Sequence, residues 1–424
     1  MSLTNKLKAT LITYLKKHPE QRQVARNMMN KLRGNRYLKK YGKYPLDEKK
    51  VLFEVFNGRQ YSCNPRAIYE EMLRSGEFEG WTFVWSFEDT EKHRSIPKLE
   101  GAKFVTFRSD EYYYELATSK YVITNAMLFD GISRKDGQVV MQTWHGTPLK
   151  RLRCDIQIED GNVNNSLEEI RIRNDKDVVR YTHFLSPSAW ASDRFISSFN
   201  LDGMGMSDII TEVGYPRNDI LSNYTQEDID EIYKIVGAPK DKKVILYAPT
   251  FRDNNHVSGQ GYTYDLKLDF DRLREELGDE YIILFRTHYF IANSFDFAAY
   301  EGFIYDVSRI ADISELYLMT DILITDYSSV FFDYACLKRP IVFYMYDLEE
   351  YGNSIRGFYL DLEKLPGEIV KTEDQLIDAI NTIREKGFNY DNTYKEFNEM
   401  FNYLDDGKAA RRVIDVIFDK TLDK

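Results

Sequence analysis

Two of the six histidines come directly after predicted strands, where an imidazole can accept a proton near neutral pH. His145 stands in the run WHGTP after the strand at 139–142, and His288 ends the run RTH after the strand at 281–285. Ligands of open α/β sheets bind beyond the carboxyl ends of the strands, so both positions suit a site. A single histidine at a strand end more often has a packing role. The same placement in both halves of the chain favours a shared catalytic site.

A third segment, ITDYSSV at 324–330, is typical of a strand, a turn and the start of a helix. Ser328 or Ser329 falls at the predicted helix N-terminus. Free backbone N–H groups, the positive end of the helix dipole and two hydroxyls there suit a phosphate. N-capping is the simpler role for these residue types. It does not explain why Asp326, Ser328 and Ser329 share a sheet edge with His288.

Two arginines in loops can neutralise a phosphate. Arg252 ends the run YAPTFR, which begins in the strand at 244–247, and Arg356 precedes Gly357. A surface salt bridge is an equally good explanation for either arginine.

Several familiar chemistries are excluded by missing motifs. The sequence has no GxGxxG after a strand and no GxxxxGK[ST], so neither a common dinucleotide site nor a P-loop is expected, and HExxH and GxSxG are missing as well. The cysteines, Cys63, Cys154 and Cys336, are too widely spaced for a zinc site or a disulfide framework. No Asp-x-Asp motif is convincing. We therefore expect no cofactor and no dedicated metal site, although Mg²⁺ can accompany a bound diphosphate.

Short β-rich runs alternate with helical patterns from residue 49 onward, which predicts parallel sheets built from βαβ units. The alternation pauses at a helical connection, 216–241, and then restarts. We therefore predict an α/β fold of two doubly wound domains, 49–220 and 221–405, that face each other across a cleft. The last segment, 406–424, is predicted to be a helix that packs back across the two halves.

The first 48 residues are predicted to form a short, basic, helical arm of two helices. Residues 1–43 carry twelve Lys or Arg and one acid, whereas the whole chain has a net charge of −11. Two helical options stay open, a pair packed on the body or an interfacial pair on anionic lipid. Both rest on a stripe at Leu3, Leu7, Leu11 and Leu15, a break at Pro19, and a second stripe at Val24, Met28, Met29 and Leu32 before Gly34.

Composition limits the class of protein. Of the 424 residues, 43% are hydrophobic and 29% are charged, values that exclude disordered and collagen-like classes. No run of 18 apolar residues and no secretion signal is visible, so we expect a cytoplasmic protein without a membrane span. The acidic body does not suit a nucleic-acid partner, and only the arm suits an anionic membrane surface.

Together, these runs resemble the CDP-glycerol glycerophosphotransferase family, whose members build or prime teichoic acids and related capsule polymers. The resemblance covers about residues 49–418 and is carried by an ordered set of runs. These are Asn64-Pro65-Arg66-Ala67-Ile68-Tyr69, Trp144-His145-Gly146-Thr147-Pro148-Leu149-Lys150, Tyr247-Ala248-Pro249-Thr250-Phe251-Arg252, Arg286-Thr287-His288, Thr325-Asp326-Tyr327-Ser328-Ser329 with Asp333, Arg356-Gly357, and Asp406-Gly407-Lys408.

The resemblance implies a GT-B-like fold of two Rossmann-like domains and attachment to the inner face of the cell membrane. It implies transfer of glycerol phosphate or ribitol phosphate from a CDP-alditol to a hydroxyl of a lipid-linked or polymer acceptor, with release of CMP. By the same resemblance, His145 is the base, His288 lies near the donor diphosphate, and Ser328 and Ser329 form the diphosphate loop. Further residues implied on the donor side are Thr250, Arg252, Arg286, Thr287, Asp326 and Arg356. Those implied on the acceptor side are Gly146, Thr147 and Lys150.

Two other functions stay open. A GT-B glycosyltransferase that uses a nucleotide sugar would share the fold but react at an anomeric carbon. A catalytically silent nucleotide-binding protein at the membrane would need neither histidine. The sequence also leaves open glycerol or ribitol as the alditol, primase or polymerase activity, and wall or capsule polymer as the product.

Overall fold

The computed structural model describes residue 14 and residues 18–129, 131–157, 166–250, 256–257, 261–262, 267–287, 297–349 and 357–422. Three predicted site residues, Arg252, His288 and Arg356, lie outside the described residues, as does the predicted helix of the first leucine stripe. Within the described ranges, no helix is both long and apolar enough to cross a bilayer.

The first domain contains a seven-stranded parallel sheet in the order β3-β2-β1-β4-β5-β6-β7. Helices cover both faces of such a sheet, so the central strands bury apolar residues, as with Val51, Leu52 and Phe53 of β1, which expose no surface. The elements up to the end of this sheet are α1 (Pro19–Tyr41), β1 (Asp47–Glu54), α2 (Cys63–Ser75), β2 (Thr82–Phe87), β3 (Lys103–Thr106), α3 (Asp110–Thr118), β4 (Ser119–Thr124), β5 (Val139–Gln142), α4 (Leu167–Val178), β6 (His183–Ser186), α5 (Ala189–Ser198) and β7 (Ile210–Glu212).

The second domain contains a six-stranded parallel sheet in the order β12-β11-β8-β13-β14-β15, besides a short antiparallel hairpin of β9 and β10. Every residue of β11 is buried. The elements are α6 (Asp219–Asn223), α7 (Gln226–Val236), β8 (Lys243–Ala248), β9 (His256–Val257), β10 (Gly261–Tyr262), α8 (Phe270–Leu277), β11 (Tyr281–Phe285), β12 (Ile304–Asp306), α9 (Ile313–Met319), β13 (Ile322–Thr325), α10 (Val330–Tyr334), β14 (Ile341–Tyr344), β15 (Glu368–Val370), α11 (Glu373–Lys386) and α12 (Asn392–Phe401).

The C-terminal helix α13 (Ala409–Leu422) returns to the first domain, where Val413, Ile414 and Phe418 are buried in the core. Asp219 accepts the backbone N–H groups of Ala409 and Ala410 at 2.9 and 2.8 Å. The segment between the two sheets therefore fixes where the last helix begins. The predicted α/β class with two doubly wound domains is confirmed.

The N-terminal arm differs from the prediction. A single helix, α1, runs from Pro19 through Gly34 to Tyr41, so the second stripe does not end at Gly34. Pro19 takes a first-turn position, where its missing N–H costs nothing. Gly34 lies against Gly131, and a Cβ added at Gly34 would come 3.3 Å from the Gly131 carbonyl oxygen. The glycine thus permits close contact with the domain rather than ending the helix.

Candidate active site

His145 lies just beyond the carboxyl end of β5, where the backbone of Trp144 takes the left-handed conformation. The imidazole stacks on the Trp144 indole at 4.3 Å and meets Phe56 edge-on at 5.6 Å between ring centroids. Its Nδ1 lies 3.0 Å from the carbonyl oxygen of Asn125. A carbonyl only accepts, so Nδ1 donates and the lone pair of neutral His145 is on Nε2.

The environment of His145 keeps it uncharged. The residue is exposed, yet protein atoms crowd the ring, and this desolvation lowers its pKa to about 4, with smaller contributions from Arg217 and Arg153 in the same direction. The hydrogen bond to Asn125 opposes the shift. At neutral pH the imidazole is therefore free to accept a proton on Nε2.

The loop that carries His145 touches the second domain. A Cβ added at Gly146 would lie 2.7 Å from Oγ of Ser329, so only glycine fits here without displacing that serine. Thr147 is buried beside it. Lys150 forms an isolated antiparallel bridge with Phe358 of the second domain. The predicted acceptor-side residues therefore lie where the two domains meet.

Arg217, which the sequence analysis missed, joins the two halves of this site. Its Nη1 donates to the backbone oxygen of His145 at 2.6 Å. Its Nη2 lies 2.8 and 2.7 Å from the two carboxylate oxygens of Asp333 on α10, the helix that follows Ser328 and Ser329. Burial penalises this guanidinium, but Asp333, Cys63 and Tyr215 together raise the pKa of Arg217 well above its ordinary value. One buried cation thus connects the loop that carries His145, which we call the histidine loop, to the loop of Ser328 and Ser329, which we call the serine loop.

Asn64 supports the same loop from the start of α2. Its side-chain nitrogen donates to the carbonyl of Thr143 at 3.1 Å, and its oxygen accepts the backbone N–H of Arg217 at 3.1 Å. Asn64 stands in one of the runs of the family resemblance, whereas Arg217 stands in none. In the sequence, the only indication of a role for Arg217 was its place as a charged residue in the predicted connection between the two domains.

The described residues that were predicted for the donor side occupy the facing edge of the second sheet. Asp326 follows β13 and accepts the backbone N–H groups of Thr250 and Tyr327 at 2.7 and 2.6 Å, which joins the loop after β8 to the serine loop. Ser328 and Ser329 are half-buried. Ser329 occupies the N-cap position of α10, but its side chain makes no capping hydrogen bond. Simple N-capping is therefore not the role of this hydroxyl.

Arg286 and Thr287 follow β11 on the same edge. Nη1 of Arg286 donates to the carbonyl groups of Val307 and Ile310 at 3.1 and 2.7 Å. The Thr287 N–H donates to the Ser308 hydroxyl at 3.0 Å. Both residues thus hold the loop after β12 against the loop that leads to His288.

No cluster of three or more His, Cys, Asp or Glu side chains that could hold a metal ion occurs among the residues described by the structure. The carboxylates nearest to this site are engaged by protein groups, as with Asp333 on Arg217 and Asp326 on the N–H groups of Thr250 and Tyr327.

Comparison with known proteins shows extended similarity to one group of enzymes. A family model described as CDP-Glycerol:Poly(glycerophosphate) glycerophosphotransferase matches residues 37–419. The teichoic acid poly(glycerol phosphate) polymerase of Bacillus subtilis is 38% identical over 96% of this chain and 55% of its own length. Its counterpart in Bacillus spizizenii is 37% identical over 88% of this chain and 93% of its own length. The chain spans about half the length of two of the curated relatives that it matches.

A solved structure of the wall teichoic acid polymerase TagF superimposes with a TM-score of 0.84 at 36% sequence identity, covering 97% of this chain and 98% of that one. This match agrees with two parallel-sheet domains in a GT-B-like arrangement. The chain belongs to the CDP-glycerol:poly(glycerophosphate) glycerophosphotransferase family.

Proposed function

We propose that this chain transfers glycerol phosphate from CDP-glycerol to a hydroxyl group of a teichoic acid or related acceptor, releasing CMP. The observation that carries this proposal is the contact between two loops of opposite domains. One loop presents a neutral His145 with its Nε2 lone pair available. The other presents the Ser329 hydroxyl, which makes no capping hydrogen bond. A base on one side and a phosphate-binding loop on the other are what phosphoryl transfer to a hydroxyl requires.

In the proposed reaction, the acceptor hydroxyl attacks the β-phosphorus of the donor. A new P–O bond forms to the acceptor oxygen while the bond to the bridging oxygen breaks, and CMP leaves with that electron pair. The hydroxyl proton passes to Nε2 of His145. Because the bound diphosphate is anionic, we expect it to raise the pKa of His145 from its value of about 4 toward neutrality.

On the donor side, we assign Ser328, Ser329, Thr287 and His288 to the diphosphate, where N–H and O–H donors stabilise charge on the departing CMP. The family resemblance adds Arg252 and Arg356 as cationic partners. Asp326 acts indirectly, because it holds the loop of Thr250 and the serine loop together. Arg286 likewise acts through the backbone carbonyl groups that it binds.

Glycerol is favoured over ribitol as the alditol. Three poly(glycerol phosphate) polymerases and one glycerol-phosphate transferase are 37–39% identical to this chain. The relatives named for ribitol phosphate are 31–32% identical, and a glycerol-phosphate primase is 32% identical. On the acceptor side, we assign Gly146, Thr147 and Lys150.

We further propose that the enzyme needs no resident metal and that Mg²⁺ acts only with the diphosphate. Measuring activity with and without EDTA tests this proposal.

We also propose that α1 attaches the enzyme to the cytoplasmic face of an anionic membrane. Val24, Met28 and Leu32 recur every four residues on this helix and expose 68%, 63% and 62% of their surfaces. Lys31 and Lys39 are exposed on the same helix. An apolar stripe flanked by cations is typical of a helix that lies in the membrane interface.

Vesicle co-sedimentation tests this attachment. A Val24→Gln/Met28→Gln/Leu32→Gln variant should lose binding to phosphatidylglycerol vesicles, whereas Val416→Gln, a change of an exposed apolar residue on α13, should bind normally. If the triple variant binds as well as wild type, α1 is a packing element only.

The transfer itself is tested by incubating the protein separately with CDP-glycerol, CDP-ribitol and UDP-glucose, each with a lipid-linked acceptor, and measuring nucleotide release. We expect CMP from CDP-glycerol, no CMP with His145→Asn, and normal release with His183→Asn, a half-buried histidine in β6. Release of UDP alone would indicate the nucleotide-sugar glycosyltransferase. Release of nothing would favour the silent nucleotide-binding protein.

A further inference from the structure

A cavity of about 320 Å³ lies between α1 and the loop that follows β4, and His145 does not line it. We call it the α1 groove. Arg33, Arg36, Tyr37 and Lys40 line it from the helix, and Asp110 and Phe129 line it from the domain. None of these six residues is used in the proposed transfer.

The α1 groove is strongly cationic in a protein that is acidic overall. Its one described carboxylate, Asp110, already accepts from Lys40 Nζ at 2.7 Å and from the Tyr41 hydroxyl at 2.9 Å. Among the residues described, no carboxylate lies within ion-pair distance of Arg33 or Arg36. Two guanidinium groups in the groove therefore remain available for an anion.

A buried hydroxyl accompanies these cations. Tyr37 exposes 6% of its surface, and its Oη has no hydrogen-bond partner in the described part of the chain. An unpaired buried hydroxyl is costly unless a ligand or water satisfies it. Burial raises the pKa of Tyr37 above its ordinary value, so this hydroxyl stays protonated at neutral pH and can donate to an anion.

The opposite wall of the groove belongs to the loop that orients His145. Arg33 and Arg108 lie over the Phe129 ring, at 5.3 and 4.2 Å from its centroid. Arg180 donates to the Phe129 carbonyl at 2.9 Å. The same loop begins at Asn125, whose carbonyl orients His145.

We propose that the α1 groove binds the phosphate of a glycerol phosphodiester. Arg33 and Arg36 supply charge-assisted hydrogen bonds to its oxygens, and Tyr37 supplies a neutral donor. Two molecules carry this diester, the headgroup of phosphatidylglycerol and an internal unit of a poly(glycerol phosphate) acceptor. The acceptor source rests on the proposed function, whereas the headgroup source does not.

The test is a ³¹P NMR titration of the full chain with glycerophosphoglycerol, the soluble diester that both sources share. Arg33→Gln/Arg36→Gln should raise its dissociation constant about tenfold, and Tyr37→Phe about threefold. The matched control, Lys234→Gln/Lys386→Gln, removes the same charge from exposed positions on α7 and α11, outside the groove, and should change it less than about twofold. Circular dichroism checks that each variant folds.

The proposal is overturned if wild type does not bind the diester, or if the groove and control variants weaken binding equally. Two further measurements separate the sources. A higher KM for a soluble glycerol-phosphate acceptor with unchanged vesicle binding assigns the groove to the acceptor chain. Weaker binding to phosphatidylglycerol vesicles with unchanged KM assigns it to the headgroup. The titration needs no turnover, so failure of the proposed transferase activity would be seen separately.

Discussion

The buried ion pair of Arg217 and Asp333 gives a sharp prediction, because it joins the loop that carries His145 to the second domain. We consider Asp333→Leu, Arg217→Met and the variant with both changes. Asp333→Leu leaves a buried guanidinium whose carboxylate partner is gone. Arg217→Met leaves a buried carboxylate whose other described side-chain partner is the Asn218 amide at 3.2 Å.

The magnitude follows from what each change leaves buried. Removing one partner of a buried ion pair costs about 3–5 kcal/mol, whereas replacing both by apolar residues of similar size is close to neutral. The double variant should therefore be more stable than either single variant, with a coupling free energy of about 2 kcal/mol or more. For comparison, Glu91→Gln breaks an exposed pair with Arg94 and should cost about 0.5 kcal/mol or less.

Urea titrations of the four proteins measure the coupling, and CMP release measures activity. Even where the double variant is stable, the His145 carbonyl has lost its Arg217 donor, so we expect kcat to fall by about 10²-fold with donor affinity largely kept. Additive destabilisation, with a coupling below about 0.5 kcal/mol, would refute the buried-pair reasoning. Full activity of the double variant would refute the positioning role.

Four further predictions concern single residues of the site and its support. His145→Ala should lower kcat about 10²–10⁴-fold while calorimetry shows nearly unchanged CDP-glycerol binding; wild-type turnover would rule out the base. Ser329→Ala and His288→Ala should each weaken donor binding as well as rate, and normal binding in both would place the diphosphate elsewhere. Only neutral His145 accepts a proton, so kcat/KM, which reports the free enzyme, should fall only as the pH drops toward about 4. We expect kcat to fall at a higher pH, because the bound diphosphate raises the pKa of His145 in the complex. A kcat/KM midpoint near 6.5 would contradict the lowered pKa. Burial raises the pKa of Asp405 to about 7, so the folded state binds more protons than the unfolded state between pH 3.8 and about 7. The free energy of unfolding of wild type therefore falls as the pH increases through this window. In urea titrations, Asp405→Asn should accordingly become more stable relative to wild type as the pH increases.

Apolar strands were the most predictable part of the fold. The strands at 139–142, 281–285, 322–325 and 341–344 have the predicted bounds, because a buried parallel strand is apolar along its whole length and polar residues end it. The course of α1 beyond Gly34 was not predicted, because glycine is unfavourable inside a helix and so suggested an end there. The contact between Gly34 and Gly131 is a tertiary feature that no local pattern reveals.

The site was predictable to the extent that its residues follow strands. His145 and Ser329 both lie at carboxyl ends of strands, and the structure brings their loops into contact. Arg217 was missed because its importance comes from partners far along the chain, at positions 145 and 333, rather than from its neighbours. The assignments of individual residues to base and diphosphate stay predictions until the variants are measured.

The backbone pairing between the domains has a consequence for how two ligands, one on each domain, would affect each other's affinity. Residues 149–151 of the histidine loop pair with residues 357–359 of the second domain, through Arg151 N–H to the Gly357 carbonyl and Tyr359 N–H to the Leu149 carbonyl, at 3.1 and 2.8 Å. The loop that carries His145 and the second domain thus share one short ladder. Equilibrium coupling between two ligands is reciprocal. Under the proposed function, any factor by which CDP-glycerol tightens acceptor binding must therefore equal the factor by which the acceptor tightens CDP-glycerol binding.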